Sequence, residues 1–376
     1  MQTISSRQLI LIGAMFTLTT TLISVQSQMV WYSKQQIWLS HVLALLVMLL
    51  PLWMLSKVLA RFPERDLFEV LVIRFPVIGR GIGLLYVLFY FYILSRDLRM
   101  AVDFTNVALL PETPLGITAG LVMFSVICLT YGGIEILGRS TEVYGTLLLV
   151  MSALISVVLF REFNWTNMMP FWDIDASGVV IGSWLLISYL GEMIGIAFFC
   201  SGRMLRFKHC FLGLLIGTGV LMALAVQALL VLGIPVMSRM LYPNYELVRQ
   251  IRITDFLDRF ELPLVGIWLP AMMTKIGYSL FIICHGLKRL VPNTSGQRFV
   301  IPVGLLAYAC SFWFFENTIQ LFNLNLEWPA VSLIFQLIIP ALLFMILKPK
   351  KEDTAKQGLY NAENRSFHME ERPDWK

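Results

Sequence analysis

The chain has 376 residues, of which 57% are hydrophobic, 13% aromatic and only 14% charged, and its mean hydropathy is +0.74. This composition excludes a soluble enzyme, a DNA-binding factor and a secreted disulfide scaffold, and points to an integral membrane protein. The net charge of +5, from 29 Lys and Arg against 24 Asp and Glu, is then a matter of topology rather than of nucleic-acid binding.

A helix needs roughly 20 apolar residues to cross the hydrocarbon core, because every backbone polar group must be satisfied within the segment. Ten stretches meet this condition, at about 9–28, 37–60, 81–104, 115–134, 137–160, 178–200, 210–233, 262–285, 299–316 and 329–347. The first is followed by Ser24-Val25-Gln26-Ser27-Gln28 rather than a small-x-small cleavage pattern, so it reads as a retained helix and not a signal peptide. Within it Thr17, Thr19, Thr20 and Thr21 interrupt a greasy run after Gly13. Between the second and third spans, Arg61–Arg80 alternates charged and apolar residues as expected of a short helix lying on the membrane surface.

The third span carries Tyr86 and Tyr90 on one face, one turn apart, amphipathic rings that suit a lipid interface or a cavity wall. At its outer end lie Arg96, Asp97, Arg99 and Asp103, read as a solvated helix end, with an outer gate as the alternative. Glu135, Arg139 and Glu142, at helical spacing between the fourth and fifth spans, read as structural pairs. The sixth span contains Ser188-Tyr189-Leu190-Gly191-Glu192-Met193-Ile194-Gly195, and the seventh a packing GxxxG at Gly213 and Gly217. Tyr242–Glu261 is a second surface segment, with Leu247, Ile251, Phe256, Leu257 and Phe260 available for one face. The tail from Lys348 onward has seven basic and six acidic residues and is expected to be disordered.

Basic residues divide unevenly between the two sides of the spans. Arg7, the Lys57–Arg80 loop, Arg139, Arg203–Lys208, Lys288–Arg298 and the tail put twenty Lys and Arg on one side, against eight on the other. The positive-inside rule makes the twenty cytoplasmic, so both termini face the cytoplasm, as an even number of crossings requires. Five Cys, odd in number and lying in or beside spans, indicate neither a disulfide framework nor a zinc site. Gly79-Arg80-Gly81-Ile82-Gly83 follows no strand and is no nucleotide fingerprint, no GxxxxGK[ST] supports an ATP-driven pump, and no HExxH or GxSxG supports a membrane enzyme. No cofactor or metal is implied.

Ten spans split as two sets of five give each set an odd number of crossings, so the second is inverted relative to the first. This is the arithmetic of the inverted-repeat transporters, whose sites lie near mid-membrane where the first helix of each repeat is interrupted. The Thr cluster in the first span and Gly191–Gly195 in the sixth occupy those corresponding places, although hydroxyl back-bonding and small-residue packing account for either one alone. Expected boundaries are a single transmembrane domain over 1–347, with repeats at about 9–160 and 178–347, and a tail over 348–376. Ionisable groups at membrane depth are functional candidates by default, and here they are Glu192 and Lys275. At 1.5 Å per residue both sit about 20 Å below the outer surface, where they form an ion pair or line one cavity.

Several short motifs, in order, carry a family resemblance: Ile4-Ser5-Ser6-Arg7-Gln8-Leu9, Ala60-Arg61-Phe62-Pro63, Leu109-Leu110-Pro111-Glu112-Thr113-Pro114, Gly133-Ile134-Glu135 with Arg139 and Glu142, Asn167-Met168-Met169-Pro170, Phe256-Leu257-Asp258-Arg259, and Ile267-Trp268 followed by Lys275-Ile276. By these the chain resembles the spore germination permeases, the B-type subunits of germinant receptors, within the amino acid, polyamine and organocation transporter superfamily. The resemblance covers all but the tail. It implies an all-α polytopic membrane protein of ten transmembrane helices in a 5+5 inverted-repeat, leucine-transporter-like fold, in the inner membrane of a bacterial endospore. It also implies partners, namely a small-molecule germinant, an A-type membrane subunit and a C-type lipoprotein.

Carried onto this chain, the ligand pocket between the first, third, sixth and eighth helices would be lined by Thr17, Thr19, Thr20, Thr21, Tyr86, Tyr90, Gly191, Glu192, Trp268, Thr274 and Lys275. One departure matters. Where the family commonly has Gly-Thr-Gly in the first helix, this chain has Thr19-Thr20-Thr21, which hinders close backbone approach by a ligand carboxylate and leaves the ligand type open. The leading expectation is a germinant-sensing subunit. A proton-coupled amino acid transporter using Glu192 and Lys275, or a water or ion conduit, are the alternatives.

Overall fold

The computed structural model describes residues 4–202, 205–250, 261–291 and 294–347; the tail, Arg203 and the expected apolar positions Ile251, Phe256, Leu257 and Phe260 lie outside the described residues. Regular structure among the described residues is helical throughout. α1 (Ser6–Leu18) starts at a capping box in which Ser5 Oγ accepts from the Gln8 N–H and Gln8 Oε1 from the Ser5 N–H. The chain is interrupted at Thr19–Thr20, resumes as α2 (Thr21–Ser24) and α3 (Gln26–Ser33), and passes Lys34 at φ 49° into α4 (Ile37–Ala60).

α5 (Leu67–Arg74) is a short helix within the expected Arg61–Arg80 segment, with Leu67, Phe68, Val70 and Leu71 buried and a second capping box between Asp66 and Glu69. α6 (Ile78–Ala108) is longer than the hydropathy run at both ends, and α7 (Leu115–Tyr131) turns at Gly132–Gly133 into α8 (Gly133–Ser140). A π-turn at Thr141–Gly145 leads to α9 (Thr146–Leu159). α10 (Ala176–Leu190) changes at Gly191 into a 3-10 helix over Gly191–Phe198.

α11 (Phe207–Met237) is kinked at Gly233, where φ is 72°, just before Pro235. Then come α12 (Pro243–Arg249), α13 (Glu261–Leu290), α14 (Gln297–Trp313), α15 (Thr318–Asn323), α16 (Trp328–Leu333), a π-turn at Ile334–Ile338 and α17 (Ile339–Ile346).

Each of the ten expected spans falls on helix, and eight helical stretches among the described residues are long and apolar enough to cross a membrane. The fourth and ninth expected spans are 17-residue helices, α7 and α14. Burial separates an inner group from its wrapping. The most apolar windows of Ser6–Ser24, Ala176–Phe198 and Glu261–Leu290 are 78%, 83% and 72% buried, against 28% for Gly133–Glu162 and for Trp328–Ile346, so the two interrupted helices and α13 form the centre. Glycine sets the closest packing: a Cβ on Gly213 would come within 2.7 Å of the Ile10 carbonyl oxygen, so the GxxxG of α11 is the seat of α1. α6 packs along α13, and α10 along α4.

A candidate ligand site around four buried charges

Four ionisable side chains meet at the centre of the bundle. Arg96 and Asp97 come from the middle of α6, Glu192 from the second residue of the 3-10 helix, and Lys275 from the middle of α13; none is more than 3% exposed. Lys275 Nζ donates to Thr20 Oγ1 at 2.9 Å, to Asp97 Oδ2 and to Glu192 Oε2, which uses all three of its N–H groups. Arg96 Nη2 donates to Asp97 Oδ1 at 2.7 Å and to Glu192 Oε1. Two cations thus balance two carboxylates, the condition under which charges are tolerated in a dry interior.

The local backbone explains how Glu192 arrives there. The Gln336 amide N–H donates to the Ser188 carbonyl at 2.7 Å, and a Cβ on Gly191 would collide with the Gln336 carboxamide, so glycine is what admits that side chain to the interrupted helix. A Cβ on Gly195 would lie 2.7 Å from the Tyr90 hydroxyl, which donates to the Glu192 carbonyl at 3.1 Å. Tyr90 therefore holds the backbone of the residue whose carboxylate joins the cluster.

The residues expected to line the pocket divide into two groups. Thr20, Glu192 and Lys275 touch directly, Tyr90 supports them, and Trp268 Nε1 donates at 2.9 Å to the Thr19 carbonyl left open by the helix break. Thr17, Thr19 and Thr21 hydroxyls instead bond back to the carbonyls of Ala14, Met15 and Thr17, as threonine does inside helices. Tyr86 donates to the Phe335 carbonyl at 2.8 Å, Thr274 bonds Ser140 and the Pro270 carbonyl, and Gly191 faces Gln336; none of these three contacts the charges.

Reading Arg96, Asp97, Arg99 and Asp103 as a solvated helix end is corrected. α6 continues to Ala108, so all four lie within it, and all are at most 5% exposed. Arg96 and Asp97 complete the cluster, while Arg99 Nε donates to Asp103 Oδ1 at 2.9 Å, the i,i+4 pair expected from spacing. A signal was present: Tyr86, Tyr90, Ile93 and Asp97 recur at spacings of four, three and four, which puts Asp97 on the tyrosine face.

One edge of the cluster is incompletely bonded. Arg96 Nη1 is buried without a partner among the described residues, and so is Trp328 Nε1, whose ring lies 5.6 Å from the Arg96 guanidinium carbon. The Tyr189 ring is 4.6 Å away on the same guanidinium, and its hydroxyl donates to Asn325 Oδ1 at 2.6 Å. An unpartnered buried donor costs about 1–3 kcal/mol, so two together mark a place where an acceptor is wanted.

At the far end of α13 a second network ties α5 to the bundle. Asp66 Oδ2 accepts from His285 Nε2 at 2.9 Å and Arg289 Nη2 at 3.3 Å, and Arg289 also pairs with Glu69 at 2.6 Å. Burial pushes the Asp66 carboxyl up, but the bond and charge of His285, the Glu69 N–H and Arg289 together hold it below its ordinary value of 3.8.

The family model described as "Spore germination protein" matches residues 3–319. YfkT of Bacillus subtilis (strain 168), named for spore germination, is 29% identical over 92% of this chain and 96% of its own. Spore germination protein KB of the same strain is 25% identical over 72% of this chain and 75% of its own. Among solved structures, MHP1, a nucleobase-cation-symport-1 family transporter with a bromovinylhydantoin bound, matches at a TM-score of 0.65 with 14% identity, over 91% of this chain and 78% of MHP1. A likeness at that identity concerns the fold, and the fold is the leucine-transporter-like one.

Proposed function

The chain belongs to the spore germination protein family, and from that premise we propose that it is the nutrient-sensing, B-type membrane subunit of a spore germinant receptor. A small molecule such as an amino acid binds beside the four-charge cluster, and the bundle passes a conformational change to an A-type membrane subunit and a C-type lipoprotein. Ten crossings with both termini in the cytoplasm, in the inner membrane of the endospore, complete this reading.

The observation that carries it is the incompletely bonded cluster. Arg96 Nη1 and Trp328 Nε1 are buried donors in want of an acceptor, beside charges that join α6, α13 and both interrupted helices. A ligand carboxylate would satisfy those donors, and any shift of Arg96 is felt at once by Asp97 and Glu192, which share its Nη2. Binding then changes the relative free energy of two arrangements of the helices, which is the only way a ligand biases a conformational equilibrium. The role of Thr20, Tyr90, Glu192, Trp268 and Lys275 is to set that equilibrium, with Arg96 and Trp328 meeting the ligand.

The test is germination of spores that lack and then regain this protein, across amino acids, sugars and nucleosides, with a matched pull-down for the A-type and C-type subunits. Restored response to one nutrient class together with recovery of both partners is expected. Unchanged responses across the panel overturn the reading. A proton-coupled transporter is the second reading, favoured by the fold shared with transporters and by the buried ionisable cluster. Accumulation of solute by purified protein in liposomes under a pH gradient would select it over sensing alone.

A further inference from the structure

Beyond the central cluster, a cavity of about 490 Å3 opens where the last turns of α6 meet the α6–α7 loop and the α14–α15 loop, a size within the range of small-molecule pockets. Arg99 and Asp103 are its charged groups on α6, both more than nine-tenths buried. Their bonding is only partly internal. Arg99 directs Nε to Asp103 and Nη2 to the Glu316 carbonyl at 3.2 Å, with its guanidinium carbon 5.3 Å from the Phe312 ring, and Thr318 Oγ1 donates to the second Asp103 oxygen at 2.9 Å. These contacts fix the guanidinium plane and leave Nη1 with no partner among the described residues.

Two acceptors line the same cavity without partners among the described residues. Asn106 Nδ2 donates to the Thr113 carbonyl at 2.7 Å, which fixes the orientation of the amide, and its Oδ1 is buried and unbonded. Glu316 is exposed at the rim, and its carboxylate makes no ion pair or hydrogen bond among the described residues. Val107, Pro111 and Leu115 supply apolar wall. One remaining guanidinium N–H, a carboxylate and an amide oxygen, each without a partner among the described residues, around one partly apolar cavity are the complement of a molecule carrying both charges on an apolar body.

We propose that this cavity is a second ligand site, separate from the central cluster, that takes a small zwitterion with an apolar side chain: its carboxylate on Arg99, its ammonium on Glu316 and Asn106. The inference rests on the preceding reading in one respect, that the natural ligand is a small nutrient. Arg99 lies three residues beyond Arg96 on the same helix, about one turn further along it, so the two sites are stacked along α6.

The test uses the full-length protein in lipid nanodiscs and equilibrium dialysis with radiolabelled L-leucine, 3-methylbutylamine (no carboxylate) and 4-methylpentanoate (no ammonium). Saturable L-leucine binding is expected, with each analogue weaker by about tenfold or more, the usual consequence of losing one charge-assisted contact. Glu316→Gln, a rim substitution that breaks no bond within the protein, and Asn106→Leu should each weaken L-leucine about tenfold while leaving 4-methylpentanoate unchanged. Equal binding of all three probes, unchanged L-leucine affinity in both variants, or no saturable L-leucine binding overturns the inference. Trp328→Phe separates the two sites. Loss of L-leucine in that variant with retention in Glu316→Gln puts the ligand at the central cluster and overturns this site alone. Retention in Trp328→Phe with loss in Glu316→Gln supports this site, and leaves the sensing reading to the germination assay.

Discussion

Lys275→Met isolates what the central charges contribute. The substitution removes one of two cations from a cluster whose members are at most 3% exposed, and leaves Asp97 and Glu192 with Arg96 alone, a net negative charge in a dry interior. Removing one partner from a buried ion cluster costs about 3–5 kcal/mol, a shift of roughly two to three and a half orders of magnitude in the folding equilibrium. Glu192→Gln added to Lys275→Met restores neutrality: Arg96 and Asp97 remain a pair at 2.7 Å, and the glutamine keeps an oxygen for Arg96. The double variant should regain more than half of the loss. The assay is the fraction of monodisperse detergent-solubilised protein and its thermal midpoint for wild type, both single variants and the double. A loss in the double equal to the sum of the single losses would refute direct coupling between Glu192 and Lys275, because independent sites add.

Three further outcomes follow from the geometry. Gly191→Ala forces the Gln336 carboxamide away from the Ser188 carbonyl and should lower stability by about 1–3 kcal/mol; adding Gln336→Ala should recover part of it in the same thermal assay, and no recovery would mean that the clash lies elsewhere. Trp328→Phe keeps the ring between Tyr92 and Phe89 but removes the unpartnered Nε1, so thermal stability should hold while the nutrient concentration for half-maximal germination rises about tenfold; an unaltered dose response would remove Trp328 from the ligand site. Asp66 is held below 3.8 in the folded protein, so its contribution to docking α5 is complete above its ordinary value and is lost as pH falls below it through the folded value. Hydrogen exchange in Leu67–Arg74 should therefore quicken below about pH 4 in wild type, and Asp66→Asn should be faster at neutral pH with that acid step flattened; identical acid profiles would discount the His285–Asp66–Arg289 tie.

Much of the fold was legible because crossing a bilayer is a local requirement. α4 spans Ile37–Ala60, as its apolar run does, and α5 was legible in the alternation of charged and apolar residues over Arg61–Arg80. The break in the first helix was legible as a cluster of threonines, but not which hydroxyl would serve. Thr17, Thr19 and Thr21 bond within their own helix while Thr20 turns to Lys275, a choice made by the rotational phase of the break. Arg96 and Asp97 were misread because four charges within eight residues look like a wet helix end in any hydropathy window. They are dry because α6 continues for about three more turns past Asp97, and the α14–α15 segment covers that part of it, as the Thr318–Asp103 and Glu316–Arg99 contacts record.

The sequence by itself determined that the chain resides in a membrane, that its spans are helical, and that Glu192 and Lys275 are out of place in theirs. Each of those conclusions depends on the transfer cost of residues along one continuous segment, a quantity that needs no knowledge of neighbours. Only the tertiary structure decided what the two charges do. Their partners are 83, 96 and 178 positions away along the chain, and whether such groups meet depends on the lateral placement and rotation of separate helices. Hydropathy carries neither, so the pair became a balanced cluster of four, with two donors at its edge unsatisfied among the described residues, only once the helices were packed.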